Sequence, residues 1–379
     1  MTVPPSLSQI LKNEAARLGF HLAGITTPEP PAHLDVYQSW LAEGHHADMA
    51  WMSSDRACQR RADPRLVLPE CRSILTLGIA YSRPLPASDS ANGRIAAYAW
   101  GDDYHDLLPL RIKALVAFLE KQVGHTVPNR WYTDTGPILE RELAQRAGLG
   151  WIGKNSLLIN PEIGSYFILA EIFLGIDLPP DPPFTSDRCG TCTRCIDACP
   201  TDAILPNRTV DSNRCLSYLT IERKDALPLE YRRSIGDWLF GCDICQQVCP
   251  WNQKDAPPQV DPAFAPRQGL PVADLAAELS LSPQEFNRKF KGSPVKRAKR
   301  RGYLRNVAVV LGNLQDVASL PALIGALTDI EPLVRAHAAW ALAQIGGVAA
   351  QTALQNRASL ETDLDVLKEI HAALSALSV

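Results

Sequence analysis

Eight cysteines between Cys189 and Pro250 are spaced to hold two four-iron clusters, groups that move electrons one at a time. The first run, Cys189-x-x-Cys192-x-x-Cys195-x-x-x-Cys199-Pro200, is the bacterial cluster spacing in which the fourth cysteine ligates the other cluster. The second, Cys242-x-x-Cys245-x-x-x-Cys249-Pro250, is one cysteine short, and Cys215 lies upstream where a displaced ligand can supply the missing thiolate. Applying the crossover rule gives Cys189, Cys192, Cys195 and Cys249 for one cluster and Cys199, Cys215, Cys242 and Cys245 for the other. Paired C-x-x-C also binds zinc. The spacing of two, two and three residues, with proline after the last cysteine of both runs, favours iron–sulfur clusters.

The elements that must position these ligands belong to a chain of 379 residues, 46% hydrophobic, long enough for two or three domains with real cores. The formal charge of -3 says little by itself, because an average can hide a basic patch. No run of about 18 apolar residues exists, and the N-terminus has neither a basic head nor a signal-peptide core. The expectation is therefore a soluble cytoplasmic protein, a monomer with no membrane contact. Thiolate-ligated iron agrees with a reducing compartment. Cys58 and Cys71, outside the ligand set, read as small buried hydrophobes.

Helical and strand patterns alternate from residue 1 to about 180. Ser6 can cap a helix carrying Leu7, Ile10, Leu11 and Leu18; residues 73–81 read as a buried strand; residues 107–123 are helix-periodic; helix and strand recur at 137–147 and 157–174. The alternation predicts an α/β (α+β) domain over 1–180. The proline-rich break 178–183 leads into a ferredoxin-like two-cluster domain over 181–260, which a loose stretch, 254–269, ends. A basic connecting region spans 261–300. Beyond it, residues 306–314 echo residues 337–345 at a separation of 31, and 371–377 repeat the theme. Pro321 and Pro332 fall near helix starts, so 301–379 reads as a short α-helical solenoid of HEAT-like repeats, with a plain helical bundle as the alternative.

Two tempting motifs fail. Gly148-Leu-Gly150-Trp-Ile-Gly153 matches a dinucleotide fingerprint, but it follows a helical run and leads into a strand, the reverse of the required order. Read as a P-loop, the stretch puts Asn155 where a magnesium-binding hydroxyl is needed. A glycine turn admitting a large cofactor and a tight helix-to-strand connection both remain open. Asp103-Tyr-His105 opens like a cobalt-ligating D-x-H-x-x-G signature without its glycine, so His105 is not assigned to cobalt and reads as an ordinary satisfied histidine.

Several stretches together resemble the epoxyqueuosine reductases, cobalamin-dependent iron–sulfur enzymes of tRNA modification. They are residues 98–105 (Tyr-Ala-Trp-Gly-Asp-Asp-Tyr-His), 134–141 (Asp-Thr-Gly-Pro-Ile-Leu-Glu-Arg), 148–156, the first cysteine run, 214–222 and 241–252. The phrases 214–222 and 241–252 are much longer than generic cluster patterns, and the likeness spans nearly the whole chain. The resemblance implies an oxidoreductase that reduces epoxyqueuosine to queuosine at the tRNA wobble position, using cobalamin, two [4Fe-4S] clusters and an external reductant. It implies cobalamin contacts at Arg61, Tyr98, Asp134, Lys154, Asn155, Ser156, Ser217, Gly241 and Asp243, with no histidine needed on cobalt. Alternatives are a corrinoid-dependent reductase of a small electrophile such as an organohalide, and a non-catalytic two-cluster electron carrier. The organohalide enzymes are usually exported, and the missing signal counts against that reading.

Removing an epoxide oxygen as water takes two electrons and two protons, and a cobalt corrin can gather what the clusters deliver singly. Asp134 ends the apparent strand 130–133, just before a helix beginning near Pro137. On residue types alone it reads equally well as a helix N-cap; the resemblance assigns it as proton donor. To act so it must be protonated, which calls for desolvation by the corrin and by nearby Trp131. Residues 288–305 carry many Lys and Arg and no acidic residue, the footprint of a phosphate-binding surface. Lys296, Arg297, Lys299, Arg300, Arg301 and Arg305 are the expected tRNA contacts, with a solvated basic face as the alternative.

Overall fold

The Ser6 side chain accepts the Gln9 amide at 3.3 Å and so caps the helix Leu7–Arg17, which buries Leu11 and Ala15. This is the first element of a computed structural model that describes residues 6–81, 93–253, 260–270 and 274–378. Residues 254–259 of the expected loose stretch lie outside the described set. The chain packs as two compact units, each assembled from separated stretches: Met1–Arg83, Gly101–Asn213 and Ile244–Ala265 in the first, Pro84–Trp100, Arg214–Asp243 and Pro266–Val379 in the second. Packing thus does not follow sequential blocks, and the stretch 181–260 contributes to both units.

The first unit is built on a four-stranded sheet in the order Leu22–Thr26, Ser73–Ala80, Phe167–Leu174, Asn129–Tyr132. Every pairing in it is antiparallel, so the architecture is α+β and the α/β expectation is corrected. Alternation in sequence fixes the kind of each element but not its direction. Ser73–Ala80 is buried along its whole length, as its apolar run requires of a strand covered on both faces. Glu171 on Phe167–Leu174 stands opposite Thr76 on one side and Tyr132 on the other. After the helix Glu140–Arg146, a turn through Gly148 (φ +80°) opens the small hairpin Trp151–Ile152 with Leu158–Ile159. A side chain at Gly150 would collide with the Ile159 carbonyl, so the glycines here serve a tight helix-to-strand connection.

In the second unit, Lys299–Leu314, Pro332–Ile345 and Leu364–Leu377 pack successively against one another, with Pro332 in the first turn of its helix. Lys299–Leu314 is buried continuously from Gly302 to Gly312, so it is a central helix rather than an amphipathic one. It meets the short helix Leu216–Ile221 and the strand Trp238–Phe240, which pairs in parallel with Arg94–Ile95. Among the described residues no helix is long and apolar enough to cross a membrane.

Candidate active site and cluster sites

Cys189, Cys192, Cys195 and Cys249 line one cavity of about 230 Å³ in the first unit. The short helix Arg194–Asp197 carries Cys195, while Cys249 follows the helix Ile244–Gln247. Trp151 donates its indole N–H to Cys189 Sγ at 3.4 Å and packs edge-on against Trp251 with ring centres 5.0 Å apart. Lys154 Nζ donates to the carbonyls of Gly190 (2.8 Å) and Cys192 (2.9 Å), tying the hairpin loop to the cysteine loop. Burial and then the neighbouring Cys189 raise the thiol pKa of Cys195; burial raises that of Cys249, with Cys189 and Cys192 adding to it. Among the described residues no three His, Cys, Asp or Glu converge as around a single ion. Four sulfurs around one cavity are the set that the crossover spacing assigns to a single cluster. Of the other four cysteines, Cys199 and Cys245 lie in the first unit and Cys215 and Cys242 in the second. Cys199 Sγ accepts the Ala203 amide at 3.3 Å, and Cys215 occupies the N-cap position of Leu216–Ile221.

Asp134 sits in a left-handed turn (φ +60°) past the strand Asn129–Tyr132, and its side chain is 63% exposed. The expected helix near Pro137 begins later, at Glu140, with Leu139 at its N-cap, so the N-cap reading of Asp134 is set aside. The expectation that nearby protein desolvates this carboxyl is corrected by its exposure. Tyr104 donates its hydroxyl to Asp134 Oδ2 at 2.7 Å, and His105 Nε2 lies 3.6 Å from the same oxygen. His105 Nδ1 contacts Asp103 Oδ1 at 2.8 Å. Burial favours the neutral ring, but the bonds to Asp103 and Asp134 and their charges prevail and push His105 up to about 9. The Asp134 amide donates to Glu140 Oε1 at 2.7 Å. Desolvation, then the Asp134 charge, push Glu140 up to about 8; Glu171, wholly buried, rises well above its ordinary value for want of solvent and through Glu140. Tyr104, His105 and Glu140 stand in the stretches 98–105 and 134–141 that carry the family resemblance, but the sequence gives none of them a role, and Glu171 lies outside every quoted motif. The signal for two of these four is nonetheless present: Asp103-Tyr-His105 fails as a cobalt motif but brings a phenol and an imidazole to the acid.

The other candidate cofactor residues fall into two groups. In the first unit Arg61 is buried with its guanidinium 5.4 Å from the Tyr37 ring centre, and Arg141 donates to Ser156 Oγ at 2.6 Å. Asn155, beside Lys154, has a buried amide nitrogen that no protein acceptor satisfies. In the second unit Asp243 is buried, accepts the Ala97 amide at 2.7 Å and is pushed by burial up to about 7. Gly241 (φ +67°) donates to Thr220 Oγ1 at 2.9 Å, on the helix that carries Ser217, and the Tyr98 ring packs 6.1 Å from Phe240.

The basic run divides. Lys296, Lys299 and Arg301 are exposed, and exposed Arg297 pairs with Glu222 at 2.8 Å. Arg300 is held by Asp329 at 2.5 Å. Arg305 is corrected: it is wholly buried and donates to the carbonyls of Leu219, Arg223 and Asp225 and to Asn306, so it has no donor left for a phosphate.

Residues 188–252 match the family model described as a 4Fe-4S double cluster binding domain. With a four-thiol cavity and a separately positioned acid, fold and site define an iron–sulfur oxidoreductase. Residues 61–135 match the model described as epoxyqueuosine reductase QueG, DUF1730, and 299–375 that of HEAT repeats. The chain is 41% identical to the epoxyqueuosine reductase of Xanthomonas campestris over 355 residues, covering 90% of this chain and 97% of that one. It is similar to the crystal structure of an epoxyqueuosine reductase with an epoxyqueuosine-modified tRNA-Tyr stem loop, with TM-score 0.91, 31% identity and coverage of 99% and 100%. It is also similar to the Bacillus subtilis enzyme captured with its catalytic aspartate loop swung out of the active site, with TM-score 0.90, 31% identity and coverage of 98% and 100%. The chain belongs to the epoxyqueuosine reductase family.

Proposed function

We propose that this chain reduces epoxyqueuosine in tRNA to queuosine, with Asp134 as the proton donor. The observation that carries this reading is the Asp134 turn: an exposed carboxyl fixed by Tyr104 and His105 at its side chain and by Glu140 at its amide. In the reaction both carbon–oxygen bonds of the epoxide break, a carbon–carbon double bond forms, and the oxygen leaves as water at the cost of two electrons and two protons. Asp134 delivers a proton to the departing oxygen, while Tyr104 keeps the carboxyl aimed. An external reductant supplies electrons through two clusters, one on Cys189, Cys192, Cys195 and Cys249 and the other on Cys199, Cys215, Cys242 and Cys245.

Cobalamin, when bound, supplies a metal centre that turns single electrons into a two-electron reduction at carbon. The unsatisfied Asn155 amide suits a cofactor rich in amide groups. Arg61, Asp134, Lys154, Asn155 and Ser156 are the first unit's proposed contacts to it; Tyr98, Ser217, Gly241 and Asp243 are the second unit's. The substrate is held at its phosphates by Lys296, Arg297, Lys299 and Arg301, the exposed members of the basic run. Arg300 is engaged by Asp329 and by the Leu281 carbonyl, so it is left out of that set.

The test is anaerobic reconstitution with iron, sulfide and cobalamin, followed by reduction of tRNA bearing epoxyqueuosine and nucleoside analysis. Queuosine formation is expected. Reduction of the clusters with the epoxide left intact would reduce the chain to an electron carrier.

A further inference from the structure

We propose that Trp151 tunes the cluster held by Cys189, Cys192, Cys195 and Cys249, raising its reduction potential so that an external reductant can fill it. The inference rests on the reading that these four thiols hold one cluster. Filling it takes one electron from the reductant, which is oxidised, and adds one negative charge among four thiolate sulfurs; no bond forms or breaks. Whatever stabilises that added charge raises the potential, and whatever keeps water from it lowers the potential.

The surroundings of this site do both. Trp151 and Ile159 are partners across the small hairpin, each 1% exposed, and with Cys249 they form a buried apolar cluster. Phe184 stacks on the Trp151 indole with ring centres 5.6 Å apart, and Trp251 meets it edge-on at 5.0 Å. A wall of this kind excludes water and by itself favours the oxidised, less charged cluster. Two groups oppose it. The Trp151 N–H, 3.4 Å from Cys189 Sγ, is aimed at a ligand sulfur, and an indole nitrogen can only donate. Lys154, in the loop of the same hairpin, sets its ammonium on the carbonyls of Gly190 and Cys192, within the ligand loop itself. Arg188 lies 5.3 Å from the Phe184 ring centre but is exposed, so its charge is screened by water.

Trp151 is the one residue that serves both sides of this balance: its ring completes the dry wall, and its nitrogen returns a donor to the sulfur that the wall has cut off from water. The low polarity that the ring creates also strengthens the bond that the nitrogen makes. Pairing with Ile159, tightened where Gly150 meets the Ile159 carbonyl, fixes the indole in register with the ligand loop. If the residue only packed, phenylalanine would do as well, since it keeps an aromatic ring and drops the donor.

Trp151→Phe separates the two roles. Wild type and variant, reconstituted with iron and sulfide, are titrated potentiometrically while electron paramagnetic resonance follows the reduced clusters. The wild type should show two one-electron waves. In the variant one wave should move to lower potential, its reduced-to-oxidised ratio at a fixed potential falling about tenfold, a shift of about 59 mV for a one-electron couple, while the other wave and the iron content stay. A wave that stays or rises, or equal movement of both, would overturn the proposal. A second measurement does not depend on that variant's assembly: with the indole nitrogens of tryptophan isotopically labelled, the reduced wild type should show magnetic coupling between a cluster and an indole nitrogen, retained in Trp251→Phe. Absence of the coupling, or its loss in Trp251→Phe, would overturn the proposal as well. Both waves surviving unshifted in Cys249→Ala would instead overturn the ligand assignment on which it rests.

Discussion

His105 in the first unit and Arg305 in the second are both cations at neutral pH, and they are held there by opposite means. His105 is half-buried between two carboxylates, which push its pKa up to about 9. Arg305 is wholly buried, and loss of solvent is what pulls it down to about 9. Its partners are backbone carbonyls and the Asn306 amide oxygen, with no carboxylate bonded to it. The difference is between a charge placed so that protons can move beside it and a charge placed so that nothing can move. Arg305 and Asn306 pin the segment 219–225 and the Leu239 carbonyl to the central repeat helix; His105 and Tyr104 leave Asp134 open on one side.

Substitution should sharpen that contrast, most strongly at the acid. Asp134→Asn keeps the shape and the Tyr104 contact but has no proton to give; turnover should fall about 100- to 10,000-fold with iron content and tRNA affinity retained. Near-normal single-turnover reduction would remove Asp134 from its role. Arg305→Ala leaves several buried carbonyls without donors, and the expected loss is about 3 kcal/mol or more, read as a lower denaturant midpoint. If that variant instead kept its stability and lost tRNA affinity, Arg305 would belong to the RNA surface after all.

Smaller changes follow at the exposed charges. Neutralising Lys296, Lys299 and Arg301 together should weaken tRNA binding and flatten its salt dependence, by about 0.7 to 0.9 in log-log slope for each phosphate no longer engaged. An unchanged slope would rule out this face as the docking surface. The mildest test is the titration of His105 itself. Its pKa is raised, so the ion pairs it makes are intact below its ordinary value and are lost as pH rises through about 9. Ring resonances followed by NMR should show a midpoint near 9 that falls in Asp103→Asn and less far in Asp134→Asn, following the order of their contributions. A midpoint indifferent to both would mean that the carboxylates do not set the charge.

The cluster ligands are legible in the chain because a cluster imposes spacing on consecutive residues, and the Ser6 cap and the strand Ser73–Ala80 are legible because both are local patterns. The surroundings of Asp134 are another matter. Glu171 lies in an apolar strand run and reaches the site only because that strand pairs antiparallel with two others in a particular register. Nothing in the alternation of elements carries that direction. The basic run misleads for a related reason: it reads as uniform, but the helix Lys299–Leu314 begins inside it and runs into the core, so burial rises along the helix between exposed Arg301 and buried Arg305.

The left-handed turn at Asp134 also restricts which acid can stand there. A non-glycine residue at φ +60° is tolerated when its side chain is short and can bond locally, which describes Asp and Asn far better than longer or branched residues. Two residues on, a side chain at Gly136 would meet the Tyr132 ring, so the turn packs closely against the end of the strand Asn129–Tyr132. Glutamate, chemically the same acid, is therefore a poor replacement at 134: its longer side chain would have to fit a backbone and an array of Tyr104, His105 and Glu140 built around the shorter one. Backbone geometry narrows the choice of acid before the substrate exerts any selection.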